Sequence, residues 1–380
     1  MKILHTIPSL NTSSGGPSTC AYSLLRGLNN MGVNADILTL GAKGLDDKLV
    51  GEDYFIKTVE NDAFSPIVYS RNFKKYLFQN QDYDLYHANS IWTYPSHLTR
   101  VIANNRQKPV VLSPHGMLYP PALKVSAWKK KLVLPLFQRK DLQLVDCLHA
   151  TCMAELEHIR SFGLKKPIAI IPNCMHVNTA VDIRSNENSI RRFGFVGRLN
   201  RYKNIDILLE SWRNLGNKTS YSELLIIGDG DVRYKHELET YVNKYDLRNV
   251  HFMGFITGEE LESTVRSLDF QVLPSKSENF GMVVPEALIN GVPVIASKGT
   301  PWQELNTYDC GWWVDNSVPA LMQALDEALQ LSEMKRIEMG ESGRKLVMDK
   351  YTVEKVSLQM YSLYNWLINR RDKPDFIHLY

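Results

Sequence analysis

The sequence predicts an α/β protein with two domains, each a parallel β-sheet covered by helices on both faces. Apolar segments of strand length alternate with segments of helical periodicity along the chain, and this order is typical of βαβ units. With 380 residues, 44% of them hydrophobic, the chain is long enough to bury two cores. No apolar run reaches the roughly 18–20 residues of a transmembrane helix, so we expect no membrane span.

The first domain is predicted over residues 1–177. Its opening strand KILHTI leads through the loop SLNTSSGGPS into a helix that ends at Gly32, and the strand NADILTL follows. This start is unlike a secretory signal. More buried strands are predicted in DLYHAN, PVVLSPH, CLHAT and IAIIPN. The polar, aperiodic residues 178–190 are interpreted as an interdomain linker.

The second domain is predicted over residues 191–357. Strands are expected in FGFVGRL, ELLIIGDG, VHFMGF, FQVLPS and PVIAS, with helices between them. Both halves therefore have a Rossmann-like order, and we expect the carboxyl ends of their strands to face a deep cleft between the domains. The C-terminal helix, residues 358–380, is predicted to pack back on the first domain.

Two glutamates, Glu278 and Glu286, lie eight positions apart in PSKSENFGMVVPEALINGVPVIAS. Pro285 is tolerated only in the first turn of a helix, so the helix should begin at about residues 281–284 and end at Gly291. Eight helical residues would span about 12 Å. The carboxylates of a retaining glycosidase are about 5–5.5 Å apart, so the two glutamates are predicted to have separate roles.

The start of this helix is a predicted anion site. Backbone N–H groups around Phe280, Gly281 and Met282 lie at the positive end of the helix dipole, and Gly281 allows close approach of a ligand. Glu286, one turn on, could accept hydrogen bonds from sugar or ribose hydroxyls. The alternative is that Glu286 only stabilises the helix and Glu278 is a solvated loop residue.

A second part of the site is predicted in FGFVGRLNRYKNI, where Arg198 and Lys203 follow a strand. Two cations at the carboxyl end of a strand could neutralise a diphosphate without a metal ion, Arg198 as a planar fork and Lys203 as a point charge. The alternative is a solvated basic loop.

Together these motifs resemble the family 4 retaining glycosyltransferases. That family has G-R-x-x-x-x-K, then E-x-F-G-x-x-x-x-E-A-x-x-x-G-x-P-V-I-A, and both patterns match here position by position. SSGGPS and SPHGML also fit, so the resemblance covers essentially the whole chain. Cys174 stands where the family has a glycine. The resemblance implies the GT-B fold, with an acceptor-binding first domain and a donor-binding second domain.

The resemblance also implies roles for individual residues. Arg198 and Lys203 would hold the pyrophosphate of a nucleotide-sugar, Glu286 the ribose, and Glu278 the hydroxyls of the sugar. His115 would orient the transferred sugar, or act as a general base, and Gly15 and Gly16 would approach the phosphates. The implied site therefore has Glu278 and His115 as catalytic residues, no metal ligand, and as donor-binding residues Gly16, Arg198, Lys203, Asn279, Phe280, Gly281, Met282, Val283 and Glu286.

The implied function is retaining transfer of a hexose, with glucose from UDP-glucose as the preferred donor, to a polysaccharide precursor or lipid-linked oligosaccharide. No cofactor or metal is expected. The alternatives are a GDP-mannose-dependent mannosyltransferase, a non-catalytic nucleotide-sugar-binding module, an epimerase, and a nicotinamide-dependent oxidoreductase. The oxidoreductase would use IIGDGDV, but Arg233 occupies the position of the third glycine.

The charge of the chain is uneven. Residues 1–180 carry 20 Lys and Arg against 13 Asp and Glu, whereas residues 181–380 carry 24 against 28. Residues 124–140 combine six basic residues with apolar ones, which predicts contact with an anionic membrane surface or, alternatively, an anionic glycan. Nucleic acid is not expected. Five cysteines without C-x-x-C spacing indicate a reducing cytoplasm. With the basic segment, this predicts a cytoplasmic protein that associates peripherally with the inner face of the plasma membrane.

Overall fold

The structure is a computed structural model that describes residues 1–11, 14–41, 49–65, 67–177, 190–370 and 372–379. The chain forms two compact units. The first comprises Met1–His176 together with Thr352–Tyr380, and the second comprises Val177–Tyr351. The predicted linker, 178–190, lies outside the described residues except for its last position.

The strands of the described residues are numbered in chain order. They are β1 (Lys2–Ser9), β2 (Asn34–Leu40), β3 (Ile56–Val59), β4 (Leu85–Asn89), β5 (Val110–Ser113), β6 (Cys147–Ala150), β7 (Ile168–Ile170), β8 (Arg191–Val196), β9 (Ser222–Ile227), β10 (Val250–Gly254), β11 (Phe270–Leu273), β12 (Val294–Ser297), β13 (Gly311–Val314) and β14 (Ile377–His378).

The helices are numbered in the same way, and a π-helical turn (Leu134–Gln138) and a 3₁₀ turn (Gly216–Thr219) lie among them. The α-helices are α1 (Gly16–Asn30), α2 (Arg71–Gln79), α3 (Tyr94–Asn105), α4 (Pro120–Lys124), α5 (Ala127–Val133), α6 (Arg139–Leu144), α7 (Met153–Ser161), α8 (Ile205–Leu215), α9 (Val232–Lys244), α10 (Gly258–Arg266), α11 (Val283–Ile289), α12 (Glu304–Thr307), α13 (Val318–Gln330), α14 (Glu333–Lys350) and α15 (Val353–Asn369).

The first unit is built on an eight-stranded sheet in the order β14-β7-β6-β5-β4-β1-β2-β3. All pairs are parallel except β14 with β7. Successive residues of a strand face opposite sides, so Ile3 packs in one core and Leu4 in the other. Helix α15 closes the first of these cores against α1, with Val356, Met360 and Tyr364 buried there.

The second unit is built on a six-stranded parallel sheet in the order β10-β9-β8-β11-β12-β13. Its core is aromatic at the centre. Phe193 of β8 stacks on Phe270 of β11 with ring centroids 5.1 Å apart and meets the Trp212 ring of α8 edge-on at 5.3 Å. This aromatic packing holds β8 and β11 side by side. The loops that follow these two strands carry the predicted site residues.

The predicted α/β class with parallel sheets is confirmed, and each strand predicted from an apolar run is present. The helix that contains Glu286 begins at Val283 and ends at Ile289, as Pro285 and Gly291 indicated. Strands β3, β13 and β14 had not been predicted. Strand β3 is a short, half-exposed edge strand of four residues, and β14 has only two residues that pair with β7.

Gly228, directly after β9, is required by a close approach of two backbones. A Cβ atom there would lie 2.0 Å from the Gly197 carbonyl oxygen, and the φ angle of 132° also disfavours other residues. We expect Gly228→Ala to lower the free energy of unfolding of the second domain by about 3 kcal/mol or more. Gly216→Ala, at a positive φ with open space around it, should cost about 1 kcal/mol. Urea unfolding of both variants tests the difference, and equal losses would contradict it.

Candidate functional site

Arg198 lies in the loop after β8, and this loop is held by the loop after β9. The Leu199 N–H donates to the Asp229 carbonyl at 2.9 Å, and the Asp231 N–H donates to the Leu199 carbonyl at 2.8 Å. Leu199 is buried, whereas the Arg198 side chain is exposed. Among the described residues, no hydrogen-bond or ion-pair partner engages the guanidinium. The fold therefore presents a fixed backbone with a cation that no carboxylate of the described residues neutralises.

Lys203 and Glu278 come together across 75 positions of the sequence. The Lys203 Nζ lies 2.5 Å from Glu278 Oε1, and Ser275 donates its hydroxyl to the same oxygen at 2.6 Å. Only 18% and 15% of the two side chains are exposed. Such a shielded, charge-assisted pair has a defined geometry. Both residues are predicted site residues, but their direct contact was not predicted, because nothing in the local sequence pattern signals it.

The loop before α11 is rigid at Phe280. Its ring is buried against the Trp302 ring at 5.2 Å, and Trp302 Nε1 donates to the Phe280 carbonyl at 2.6 Å. Gly281 has a φ of 79°, which turns the chain into α11. In the described part of the chain no carbonyl accepts from the backbone N–H groups of Phe280 or Gly281. Asn279, Gly281, Met282 and Val283 are half-buried.

Glu286 lies in the first turn of α11 with an exposed side chain. Desolvation by the surrounding protein raises the pKa of its carboxyl above the ordinary value. Glu278, by contrast, belongs to the loop before the helix and is anchored by its N–H, which donates to the Gly299 carbonyl at 2.8 Å. The two glutamates thus occupy different elements and have different surroundings, as expected if they have separate roles.

In the first unit, His115 follows β5 in a left-handed conformation with φ 50°. The Gly116 N–H after it donates to Glu155 Oε1 at 2.6 Å, which fixes the turn. The His115 Nε2 lies 3.3 Å from Asn89 Oδ1. Desolvation, and to a smaller extent the neighbouring His149, lowers the pKa of His115 to about 3. The imidazole is therefore neutral at physiological pH, which suits a hydrogen-bonding group better than a general base.

Gly16 is the first residue of α1, and Gly15 before it has φ 76°. Both are exposed, and a Cβ at either position would meet no atom within 4 Å. The protein itself therefore does not require glycine for space at these positions. A ligand that approaches the backbone closely would require it, and such an approach was the role predicted for Gly16.

Asp229 and Asp231, which resemble a metal-binding pair, have structural contacts. Asp231 caps α9 by accepting from the N–H groups of Arg233 and Tyr234 at 2.9 and 3.0 Å. Asp229 accepts from the Gly230 N–H at 2.8 Å and lies 3.4 Å from the Lys235 Nζ. No cluster of three His, Cys, Asp or Glu side chains suited to a metal ion occurs among the described residues.

The basic segment 124–140 spans the end of α4, α5, the π turn and the start of α6. Four large apolar side chains project from it: Val125 is 60% exposed, Trp128 66%, Leu132 59% and Leu136 72%. The exposed basic residues beside them are Lys124, Lys131, Arg139 and Lys140. In the part of the chain that the structure describes, no helix is long and apolar enough to cross a bilayer.

Both halves of the chain match known domain families. Residues 15–174 match the family described as "Glycosyl transferase 4-like domain", and residues 182–346 match "Glycosyl transferases group 1". This chain carries both domains of a GT-B glycosyltransferase. The group 1 match includes Arg198, Lys203, Glu278 and Glu286, and the 4-like match includes His115 and Gly16.

Solved structures show the same GT-B fold. Sucrose-phosphate synthase from Thermosynechococcus elongatus aligns with a TM-score of 0.76 at 22% identity, over 97% of this chain and 100% of the other. Alr3699/HepE from Anabaena, in complex with UDP-glucose, aligns with a TM-score of 0.72 at 18% identity, over 97% and 100%. At these identities the likeness establishes the fold alone.

Among curated relatives, the O-antigen biosynthesis glycosyltransferase WclY of Escherichia coli is 27% identical over 173 residues, which cover 45% of this chain and 46% of WclY. More generally, the matches span about half the length of the curated relatives that the chain resembles. The sequence-based assignment of the fold and of the glycosyltransferase domains is confirmed by these comparisons.

Proposed function

We propose that the protein is a nucleotide-sugar-dependent glycosyltransferase that moves a hexose, with retention of configuration, to a polysaccharide precursor or lipid-linked oligosaccharide. One observation supports this most strongly. In a domain of the group 1 family, Arg198, which has no partner among the described residues, and the shielded Lys203–Glu278 pair lie in the loops that follow β8 and β11. Parallel sheets bind ligands in the loops at the carboxyl ends of their strands, which supports a donor site formed by these charged side chains.

The diphosphate of the donor is assigned to Arg198 and Lys203. Arg198 can form two parallel hydrogen bonds to phosphate oxygens, and Lys203 adds a compact charge. The backbone N–H groups of Phe280 and Gly281 would donate to the same group or to the sugar. Asn279, Met282 and Val283, in the same loop, complete the proposed donor contacts.

The two glutamates would bind the two ends of the donor. Glu278, held by Lys203 and Ser275, would accept hydrogen bonds from hydroxyls of the transferred sugar. Glu286, exposed on α11, would accept from the ribose. The first domain contributes His115, as a neutral hydrogen-bonding group that orients the sugar, and Gly16, as a backbone contact to phosphate.

The transfer step needs no pair of catalytic carboxylates. The bond from the anomeric carbon to the diphosphate oxygen breaks, and the acceptor oxygen bonds to the same carbon on the same face. The leaving diphosphate takes the proton of the acceptor hydroxyl. Arg198 and Lys203 stabilise the negative charge that develops on the diphosphate, the usual role of such fixed charges.

UDP-glucose is the proposed donor, and the complex of the structural neighbour HepE with UDP-glucose supports it. The test is incubation with a panel of UDP- and GDP-sugars, with nucleotide diphosphate release as the readout. Release from UDP-glucose supports the proposal, and release from GDP-mannose alone would reassign the donor. Binding without release, even with glycan acceptors present, would favour a non-catalytic module.

Catalysis is proposed to proceed without a metal ion, because Arg198, which has no ion-pair partner among the described residues, supplies a positive charge for the diphosphate. The carboxylates that resemble a metal pair already cap a helix and pair with a lysine. We expect 5 mM EDTA to leave the rate of diphosphate release within about twofold of its value in Mg²⁺. A loss of activity in EDTA that Mg²⁺ restores would contradict this.

The acceptor is proposed to be presented at the inner face of the plasma membrane, where a cytoplasmic enzyme would bind through segment 124–140. We expect sedimentation with phosphatidylglycerol vesicles but not with phosphatidylcholine vesicles. Because each basic side chain contributes about 1 kcal/mol at an anionic surface, Lys131→Glu with Lys140→Glu should weaken binding at least tenfold. Lys74→Glu with Lys75→Glu reverses two exposed charges elsewhere in the domain and is the control. Equal losses of vesicle binding in the two double variants would contradict a specific membrane-binding surface at segment 124–140.

A further inference from the structure

Four histidines of the first unit, three of them buried and His115 half-buried, are joined into one hydrogen-bonded chain. The chain crosses the neighbouring strands β6, β5, β4 and β1 and includes one residue of the C-terminal helix α15. Every member except His115 is at least 95% buried. In order, the chain runs from the Ile171 carbonyl through His149, Ser113, His87, Tyr364, His5 and Asn89 to His115.

The direction of the first hydrogen bonds follows from the Ile171 carbonyl, which can only accept. His149 Nε2, 2.8 Å away, must therefore carry a proton. Burial lowers the pKa of His149 to about 4, so the ring is neutral and its Nδ1 is an acceptor. Ser113 then donates its single hydroxyl proton to that Nδ1 at 2.7 Å.

The same logic continues along the chain. Because the Ser113 proton is used, His87 Nε2 must donate to the serine oxygen at 2.6 Å. Burial lowers the pKa of His87 well below its ordinary value, which leaves its Nδ1 as an acceptor for the Tyr364 hydroxyl at 2.8 Å. The Tyr364 oxygen in turn accepts from His5 Nε2 at 2.7 Å.

The chain ends at the predicted site residue. His5, whose pKa burial lowers to about 3, accepts at Nδ1 from Asn89 Nδ2 at 3.2 Å. The Asn89 amide then presents its oxygen to His115 Nε2 at 3.3 Å. Longer contacts from Asn89 Nδ2 to the Thr6 and His87 carbonyls, 3.4 and 3.5 Å, favour the same orientation. His115 is therefore protonated at Nε2, and no described group donates to its Nδ1.

We propose that Ser113, His149 and Tyr364 are positioning residues that hold His115 in the Nε2–H tautomer, so that its Nδ1 accepts a hydrogen bond from a sugar hydroxyl. That the ligand is a sugar rests on the proposed function, whereas the tautomer of His115 follows from the hydrogen bonds alone. If the hydroxyl of Tyr364 or of Ser113 is removed, the hydrogen bonds between that position and His115 can reverse their direction. His5 would then donate to a flipped Asn89 amide, and His115 would carry its proton on Nδ1.

The tautomer can be measured without turnover, in two-bond ¹H–¹⁵N spectra of the full chain labelled at the histidine rings, with the His115 signals assigned through His115→Gln. We expect His115 in the Nε2–H form in the native protein and a mixture of tautomers in Tyr364→Phe and Ser113→Ala. Ser113→Thr keeps the hydroxyl and should restore the native spectrum. Thr99→Val removes a buried hydroxyl that forms a hydrogen bond with Thr6 and is not part of the hydrogen-bonded chain. This variant should leave the His115 spectrum unchanged.

The functional consequence is tested by titration with UDP-glucose and with UDP. Loss of one oriented hydrogen bond should weaken UDP-glucose binding to Tyr364→Phe about three- to tenfold and leave UDP binding unchanged. The proposal is overturned if native His115 carries its proton on Nδ1, or if both Tyr364→Phe and Ser113→Ala keep the native tautomer. If the tautomers behave as expected while the native protein binds no nucleotide-sugar, the hydrogen-bonded chain stands and the proposed function fails.

Discussion

Glu278→Gln should lower kcat/KM for UDP-glucose by about 100-fold. The carboxylate is shielded and held by Lys203 and Ser275, so it is preorganised to accept from sugar hydroxyls. Hydrogen bonds to a charged group are worth about 1.5–3 kcal/mol each, so the loss of one such bond accounts for a decrease of about 100-fold. The amide keeps the size of the side chain but removes the charge that Lys203 neutralises. Steady-state diphosphate release measures the effect.

The matched control is Glu223→Gln. Glu223 also forms an ion pair in the second domain, with Arg192 at 3.1 Å, but it lies in β9 and has no proposed role in donor binding. We expect this variant to retain activity within about twofold, since partly exposed ion pairs contribute little. A Glu278→Gln variant with near-native kcat/KM would remove Glu278 from the proposed site.

Arg198→Ala should lower kcat by about 100- to 1000-fold, the range found when one preorganised hydrogen-bond donor to a developing oxyanion is removed. The side chain is exposed and has no partner among the described residues. Its removal should therefore leave the unfolding midpoint unchanged, which separates a functional loss from a structural one. Rate and thermal unfolding are measured on the same preparation.

Arg201, three residues further along the same loop, provides the control. Its guanidinium pairs with Glu237 at 2.6 Å, and both side chains are more than half exposed. We expect Arg201→Ala to leave kcat within about twofold of native. If Arg201→Ala and Arg198→Ala lose activity equally, the loop contributes a general positive field and not a specific phosphate contact.

The sequence was sufficient for features that depend on local pattern. Most strands of both sheets are apolar runs because they are buried on both faces, and Pro285 fixed the start of α11 to within a turn. The motif spacing around Gly281 is likewise the basis on which the second domain's site residues are predicted. In each case the physical cause lies within about twenty residues, where periodicity and turn chemistry operate.

Features that depend on strand order could not be predicted. His5, His87 and His149 each look like single histidines in separate strands, and only the order β6-β5-β4-β1 brings them together. Lys203 and Glu278 meet for the same reason, because β8 and β11 are neighbours in the sheet. The lowered pKa of His115 likewise arises from burial and from His149, neither of which a local pattern contains.

The most direct test of the proposed donor site is calorimetric titration of the native protein, Glu278→Gln and Arg198→Ala with UDP-glucose, UDP, GDP-mannose and GDP. The native protein should bind one nucleotide-sugar and its diphosphate. Arg198→Ala should weaken both, because both carry the diphosphate, whereas Glu278→Gln should weaken only the nucleotide-sugar. Native-like affinity of both variants for the nucleotide-sugar, or no binding by the native protein, would contradict the assignment of these residues to a donor site.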